Sequence, residues 1–452
     1  MSKKIILSIL AIVLVVCLLC SAVLIAGVAK FFPSKALQTV ISTANPSPTA
    51  ILDNSIDSQM DQIQQEVSSY RGLQLKQPLK RALLTTDQLK AKVTNEFFAD
   101  YTAEDAKKDS EVLSAFGLLP ANFDLHDFYV KLYSEQIAGY YDDKTKEMYV
   151  VSDEGFNGTE RMTYAHEFTH VLQDQNYDLE NGLKMNDTYC KTETEYCAAV
   201  QSLVEGDAVL SEQYWYYKYS TALDKQQIDA FQKSYTSPVF DSAPAYMKQD
   251  FLFPYTQGLT FVSYLYGENQ WTSIDDAFKN PPVDTEQILH PEKYPNELPI
   301  TVNVPNLVST LGSGWNEVDR NVMGEWYTYL VLADGRDAQF RLDDQTAKDA
   351  SAGWGGDTYV YYTNATSNQF VMVWQSQWDT STDSDQFWQA SLTYGNDRWG
   401  TAQSDTSTSI SWQSATDGLV TMQHSGNTVL WMMTPSQTVQ QQVLNTLMLT
   451  GN

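Results

Sequence analysis

The chain has 452 residues, 43% hydrophobic and 12% aromatic, enough apolar material for two or three packed domains. Its formal net charge is -27, from 29 Lys and Arg against 56 Asp and Glu. That balance excludes a phosphate-binding nucleic-acid groove and docking on anionic lipid through a basic face, since both need clustered Lys and Arg.

The first element is an apolar run from Ile5 to Ala29, with Lys3 and Lys4 before it and Lys30 after it. At 1.5 Å per residue such a run exceeds a hydrocarbon core of roughly 30 Å. It predicts a single N-terminal transmembrane helix over residues 1–30, an uncleaved signal anchor that leaves the bulk of the chain extracytoplasmic. The alternative is secretion after cleavage behind Ala29. Residues 31–55, with Pro33, Pro46 and Pro48 among Ser, Thr and Asn, predict a flexible stalk.

Residues 56–335 form the next predicted unit, mostly helical. Asp53 to Tyr70 has a helical pattern, and Arg81 to Thr85 reads as a strand. Thr86 and Thr102 each open a helix, the second ending before Gly117 and Pro120. Phe123 to Tyr133 is amphipathic. Gln136 to Tyr141 and Glu147 to Val151 flank a polar turn and predict a hairpin, a small edge sheet. Asn157, with Glu160 three residues on, predicts a capped helix start. Met162, Ala165, Phe168, Thr169 and Leu172 then share its apolar stripe.

At the edge of that stripe lies His166-Glu167-Phe-Thr-His170. Two His four residues apart stand one turn apart on one helical face, so both imidazoles can reach one metal ion. Glu167 beside them can take a proton from a metal-bound water. A catalytic zinc needs a third protein ligand, and a third His six residues after His170 is absent, because that position is Asn176. The acids downstream are Glu180, Glu193, Glu195, Glu205, Asp207 and Glu212. Glu205 stands inside the apolar stretch Leu203-Val-Glu-Gly-Asp-Ala-Val-Leu210, where an acid is costly to bury unless it is paired or ligated. Gly206 weakens a helix and calls for a reason, such as close helix packing beside the metal.

His166-Glu-Phe-Thr-His170 followed by Val204-Glu205-Gly206-Asp207-Ala208 resembles the gluzincin zinc metallopeptidases, closest to the branch with a Glu-Gly-x-Ala segment. The resemblance runs from about Gln136 to about Tyr294. It implies a zinc ion held by His166, His170 and Glu205, with Glu167 as general base and a peptide or protein substrate. It also implies that the strand at Gln136–Tyr141 pairs with an extended substrate. Asp207 is expected to orient a ligand His from behind, and it is the alternative third ligand. His290, Tyr255 and Tyr294 are the downstream donors available to a carbonyl oxygen as charge builds on it. Cys190 and Cys197 can close a small disulfide loop if this region lies outside the cytoplasm.

From about residue 336 to 452 the chain has Asp but no Glu, few basic residues, and many Ser, Thr, Gln and Trp. Short strands and two helices predict a small α+β C-terminal domain. The expected fold class is therefore α+β: a mostly helical catalytic region with a small edge β-sheet, the C-terminal domain, and the N-terminal membrane helix. The expected function is an extracytoplasmic zinc metallopeptidase. The alternatives are a non-catalytic metal-binding surface protein and a zinc hydrolase of another amide or ester.

Overall fold

A computed structural model of the chain describes residues 13–14, 55–97, 101–151 and 155–450. Its first part is helical around a four-stranded sheet. The helices are α1 (Ile56–Arg71), α2 (Thr86–Phe97), α3 (Ala103–Ala115), α4 (Leu125–Gln136), α5 (Gly158–Tyr177), α6 (Thr194–Lys218), α7 (Ala222–Ser234), α8 (Ala245–Asn269), α9 (Trp271–Lys279) and α10 (Thr285–Leu289). The strands are β1 (Val13–Leu14), β2 (Lys80–Leu84), β3 (Ile137–Asp142) and β4 (Glu147–Val151), in the order β1-β3-β4-β2. β3 and β4 form an antiparallel hairpin, and β2 joins β4 in parallel.

Local chemistry explains the placement of α5. Asn157 accepts from the backbone of Thr159 while Glu160 reaches back to the N-cap amide, a reciprocal cap that fixes the helix start. From Met162 to Asp174 every residue is buried, so α5 runs through the core instead of lying on it. It packs under β3, where Gly139 leaves room for Thr163 and Glu167: a Cβ there would stand 3.1 Å from Thr163 Cγ2 and 3.5 Å from Glu167 Cγ. α6 and α8 cross at Gly206 and Gly258. A Cβ on either glycine would run into the other helix's backbone, at the Gly258 carbonyl or the Ser202 carbonyl. Only glycine at both positions permits that approach.

The second part corrects the expected fold class. In place of a small α+β domain starting near 336 stands a seven-stranded, wholly antiparallel sheet in the order β5-β6-β7-β11-β10-β9-β8. Its strands are β5 (Trp315–Asn321), β6 (Trp354–Asn364), β7 (Gln369–Trp378), β8 (Ser404–Asp405), β9 (Ser409–Ser414), β10 (Gly418–Ser425) and β11 (Thr428–Thr434). Helices α11 (Gly324–Ala333), α12 (Asp344–Ser351), α13 (Ser381–Trp399) and α14 (Gln437–Thr450) accompany it. β5 begins before the expected boundary because Trp-Asn-Glu-Val-Asp-Arg-Asn lacks an apolar alternation. Pairing with β6, not intrinsic propensity, makes it a strand. Trp354, Trp374, Trp378, Trp412 and Trp431 are fully buried, so these indoles build the core.

The expected single transmembrane helix over residues 1–30 falls almost wholly outside the described residues. No helix among the described residues is long and apolar enough to cross a membrane. Within the apolar run only Val13–Leu14 is described, as a two-residue strand paired antiparallel with β3. The rest of that run, and the expected stalk at 31–55 up to residue 54, lie outside the described residues.

Candidate metal centre

Three fully buried side chains converge from two helices. His166 and His170 come from α5 and Glu205 from α6, and their ligand atoms all lie within 4.8 Å of one another. His166 Nε2 is 3.2 Å from Glu205 Oε2, and His170 Nε2 is 3.4 Å from the same oxygen. Bonds of about 2.0–2.1 Å in a tetrahedral zinc site place ligand atoms about 3.3–3.4 Å apart, and both His–Glu205 distances match that spacing.

The outer nitrogens are fixed as a metal site requires. His166 Nδ1 is 2.8 Å from Glu212 Oε2, and His170 Nδ1 is 2.8 Å from Gln173 Oε1. Both partners are acceptors, so each Nδ1 carries a hydrogen, which leaves each Nε2 as the atom that would take a metal on losing its proton. Behind Gln173 the chain of contacts continues. Its amide donates to Asp207 Oδ2 at 2.8 Å and to the Val204 carbonyl at 2.9 Å. Asp207 in turn accepts from Arg71 Nε at 2.9 Å, and Arg71 Nη1 reaches Asp275 at 2.6 Å. Arg71 and Asp207 are fully buried, so neither charge can be left alone.

Charge in the trio is strongly coupled. Burial opposes a charge on His166, but hydrogen bonds and charge from Glu205 and Glu212 outweigh it and push its pKa up to about 10. Burial also opposes charging His170, and Glu205 again wins and raises it. For Glu205, burial favours the neutral acid, but His170 and His166 hold its carboxyl below the usual range. The lone pairs that draw protons into the trio are those a dication would take, so metal binding here releases protons.

The expected residues divide as follows. Glu167 is fully buried one position along α5, with its stem under Gly139 of β3. Tyr255 of α8 reaches the trio, its hydroxyl 3.4 Å from Glu205 Oε1, because the glycine crossing one turn later draws α8 onto α6. His290 does not reach it: its Nε2 is bound to Glu325 Oε1 at 2.8 Å. Tyr294 donates to the Asn280 carbonyl at 2.6 Å. Asp207 contacts Gln173 and Arg71 and touches neither His, so it is neither a ligand nor a direct orienter. The direct orienters are Glu212 and Gln173. Glu212 lies seven residues after Glu205, two turns along the same face, a spacing visible in the sequence. Cys190 and Cys197 are joined in a disulfide just before and within the first turn of α6, with Cα atoms 5.6 Å apart.

A second acidic group, Glu286, Glu297 and Asp379, also has metal-like spacing. Lys293 Nζ sits among them at 2.7, 2.6 and 3.0 Å, so an ammonium already fills that position.

Fold and site together define a helical body with a buried two-His, one-Glu centre, joined to an antiparallel sheet. Residues 309–444 match a family described as Domain of unknown function (DUF8575), which covers the sheet and not the metal centre. No curated protein and no solved structure matches the chain.

Proposed function

We propose that the protein is a zinc-dependent metallopeptidase acting outside the cytoplasm. The observation that carries this reading is the convergence of His166 Nε2, His170 Nε2 and Glu205 Oε2, with Glu167 adjoining them on α5. His166, His170 and Glu205 would hold the ion, and Glu212 and Gln173 would hold the two imidazoles in register. Bound there, zinc supplies Lewis acidity that lowers the pKa of a ligated water to about 7 and polarises a carbonyl.

The chain's own groups supply the rest. Glu167 accepts the proton of the attacking water and passes it to the leaving amine. The edge of β3 above Glu167 is paired with Val13–Leu14 at Gly139 and Ile137, so an extended peptide would add to β3 there only in place of β1. The Tyr255 hydroxyl, already beside Glu205, is placed to donate to the carbonyl oxygen as charge develops on it. The Cys190–Cys197 disulfide supports an oxidising, extracytoplasmic setting.

Metal analysis together with peptide turnover by wild type and Glu167→Gln tests the proposal. One zinc per chain in both forms is expected, with turnover lowered by roughly 10²–10⁴ in the variant. Zinc far below one per chain, or equal turnover by both forms, would sink it.

A further inference from the structure

A cleft of about 790 Å³, counting the solvent at its mouth, opens between the helical body and the sheet. Its walls are aromatic and apolar: Phe116, Phe253, Trp326 and Tyr359 are among them, with Phe253 and Trp326 packed at a centroid distance of 4.4 Å. Four carboxyl groups line it, from Asp109, Glu195, Asp250 and Asp319, and no Lys, Arg or His does.

Two of these acids are built in place. Asp250 accepts from Trp326 Nε1 at 3.0 Å and from the Tyr327 hydroxyl at 2.8 Å. Glu195 accepts from the Thr285 amide at 3.0 Å and its hydroxyl at 2.6 Å. Every one of those donors is neutral, so no fixed cation offsets Asp250, and Glu195, whose carboxyl burial pushes up to about 8, gives up its proton when a cation enters. An independent observation comes from Gln201, which lines the same cleft and is 0% exposed. Neither its Nε2 nor its Oε1 has a hydrogen-bond partner among the described residues. A buried amide left in that state is costly, and a ligand carrying N–H groups would satisfy its Oε1.

We propose that this cleft binds an organic cation, an ammonium or guanidinium head on an apolar stem. The head lies among Asp250, Glu195 and the Gln201 carboxamide, and the stem lies on the aromatic wall. Carboxylates over aromatic faces in a partly dry cleft favour such a ligand over a hydrated metal ion or a neutral one.

Placement bears on its source. Gln201 precedes Glu205 by four residues on α6, so the two share a helical face about 6 Å apart along the axis. Asp250, Phe253 and Pro254 end one residue before Tyr255 on α8. The cleft therefore lies about one turn from the metal centre along both helices. The cation is then either a free amine or the Lys or Arg side chain of a bound peptide. The second source rests on the peptidase reading; the binding site itself does not.

Calorimetric titration of the full chain with butylguanidinium and 2-phenylethylammonium tests the site, with 3-phenylpropanol as the neutral control. Saturable binding of the cations is expected, at least about tenfold tighter than the control. Asp250→Asn and Gln201→Met should each weaken it by about tenfold or more. Gln201→Met keeps the packing, so it serves if Asp250→Asn disturbs Trp326, and unchanged circular dichroism identifies folded variants. Equal binding of the alcohol, no saturation by either cation, or full affinity in a folded Gln201→Met would overturn the proposal. Turnover of matched lysine and Nε-acetyl-lysine peptides separates the sources. A preference for free lysine that Gln201→Met abolishes assigns the cation to the substrate, whereas cation binding with no such preference assigns it to a free amine. Cation binding without peptide turnover would remove the peptidase reading and leave the cleft standing. Turnover without cation binding would do the reverse.

Discussion

Replacing Gly206 with Ala is the sharpest perturbation of the helix crossing that assembles the centre. In an isolated helix it would be favourable by about 1 kcal/mol, because Gly is the poorer helix former. Here the new methyl would overlap the Gly258 carbonyl and stand 2.9 Å from Leu259 N. Both neighbours are backbone, so no side chain can swing aside, and α6 and α8 must separate. Overpacking of this kind costs about 1–3 kcal/mol, and rigid neighbours place this case at the upper end. The net effect is a loss of about 1–2 kcal/mol, read as a drop of a few degrees in Tm. Glu205 adjoins the new methyl, so the same displacement moves its carboxylate off the two Nε2 atoms, and zinc affinity falls by at least about tenfold. Thermal melting and zinc competition against a chromophoric chelator measure the two effects separately. A Gly206→Ala protein as stable as wild type, with unchanged zinc affinity, would refute the close crossing and its link to the site.

Glu212→Gln leaves the His166 ring in place but removes the carboxylate behind its Nδ1, and zinc affinity should fall by about 10–100-fold in the same competition assay. Arg71→Met strips the buried Asp207 of its cation, and chemical denaturation should register a loss of about 3–5 kcal/mol. Burial pushes the Glu195 carboxyl up to about 8, against the Thr285 hydrogen bonds and with help from the charges of Asp284 and Asp357. The folded protein thus holds a proton that the unfolded chain gives up near its ordinary value, so this group's stabilisation is present at low pH and is lost as pH rises from about 4.5 to 8. Melting curves across that window should slope downward, and Glu195→Gln should flatten the slope.

The parts of the centre legible in the sequence are those that one helix fixes by itself. The spacing of His166 and His170, the adjacency of Glu167 and the Asn157 cap all follow from helical geometry over a few residues. Glu205 stood out because an acid in an apolar run needs a partner, and Gly206 because a mid-helix glycine needs a neighbour. What the sequence hid depends on contacts between distant elements. Arg71 meets Asp207 from 136 residues away. Tyr255 and His290 looked equivalent as donors, and only the α6–α8 crossing separates one that reaches Glu205 from one bound to Glu325. β5 escaped notice for a related reason: its residues are polar on both faces, and its strand character comes from β6.

The ammonium of Lys293 among Glu286, Glu297 and Asp379 has a practical consequence. Two clusters share a spacing that could suit a dication, yet the acidic one is closed by a lysine of the same chain. A chelator therefore addresses the His166–His170–Glu205 centre and leaves the lysine cluster intact. Added salt screens the partly exposed Lys293 contacts to Glu297 and Asp379, while the buried trio is shielded from it. Metal occupancy of the centre and the tie from α10 to the sheet can thus be titrated apart with two ordinary reagents.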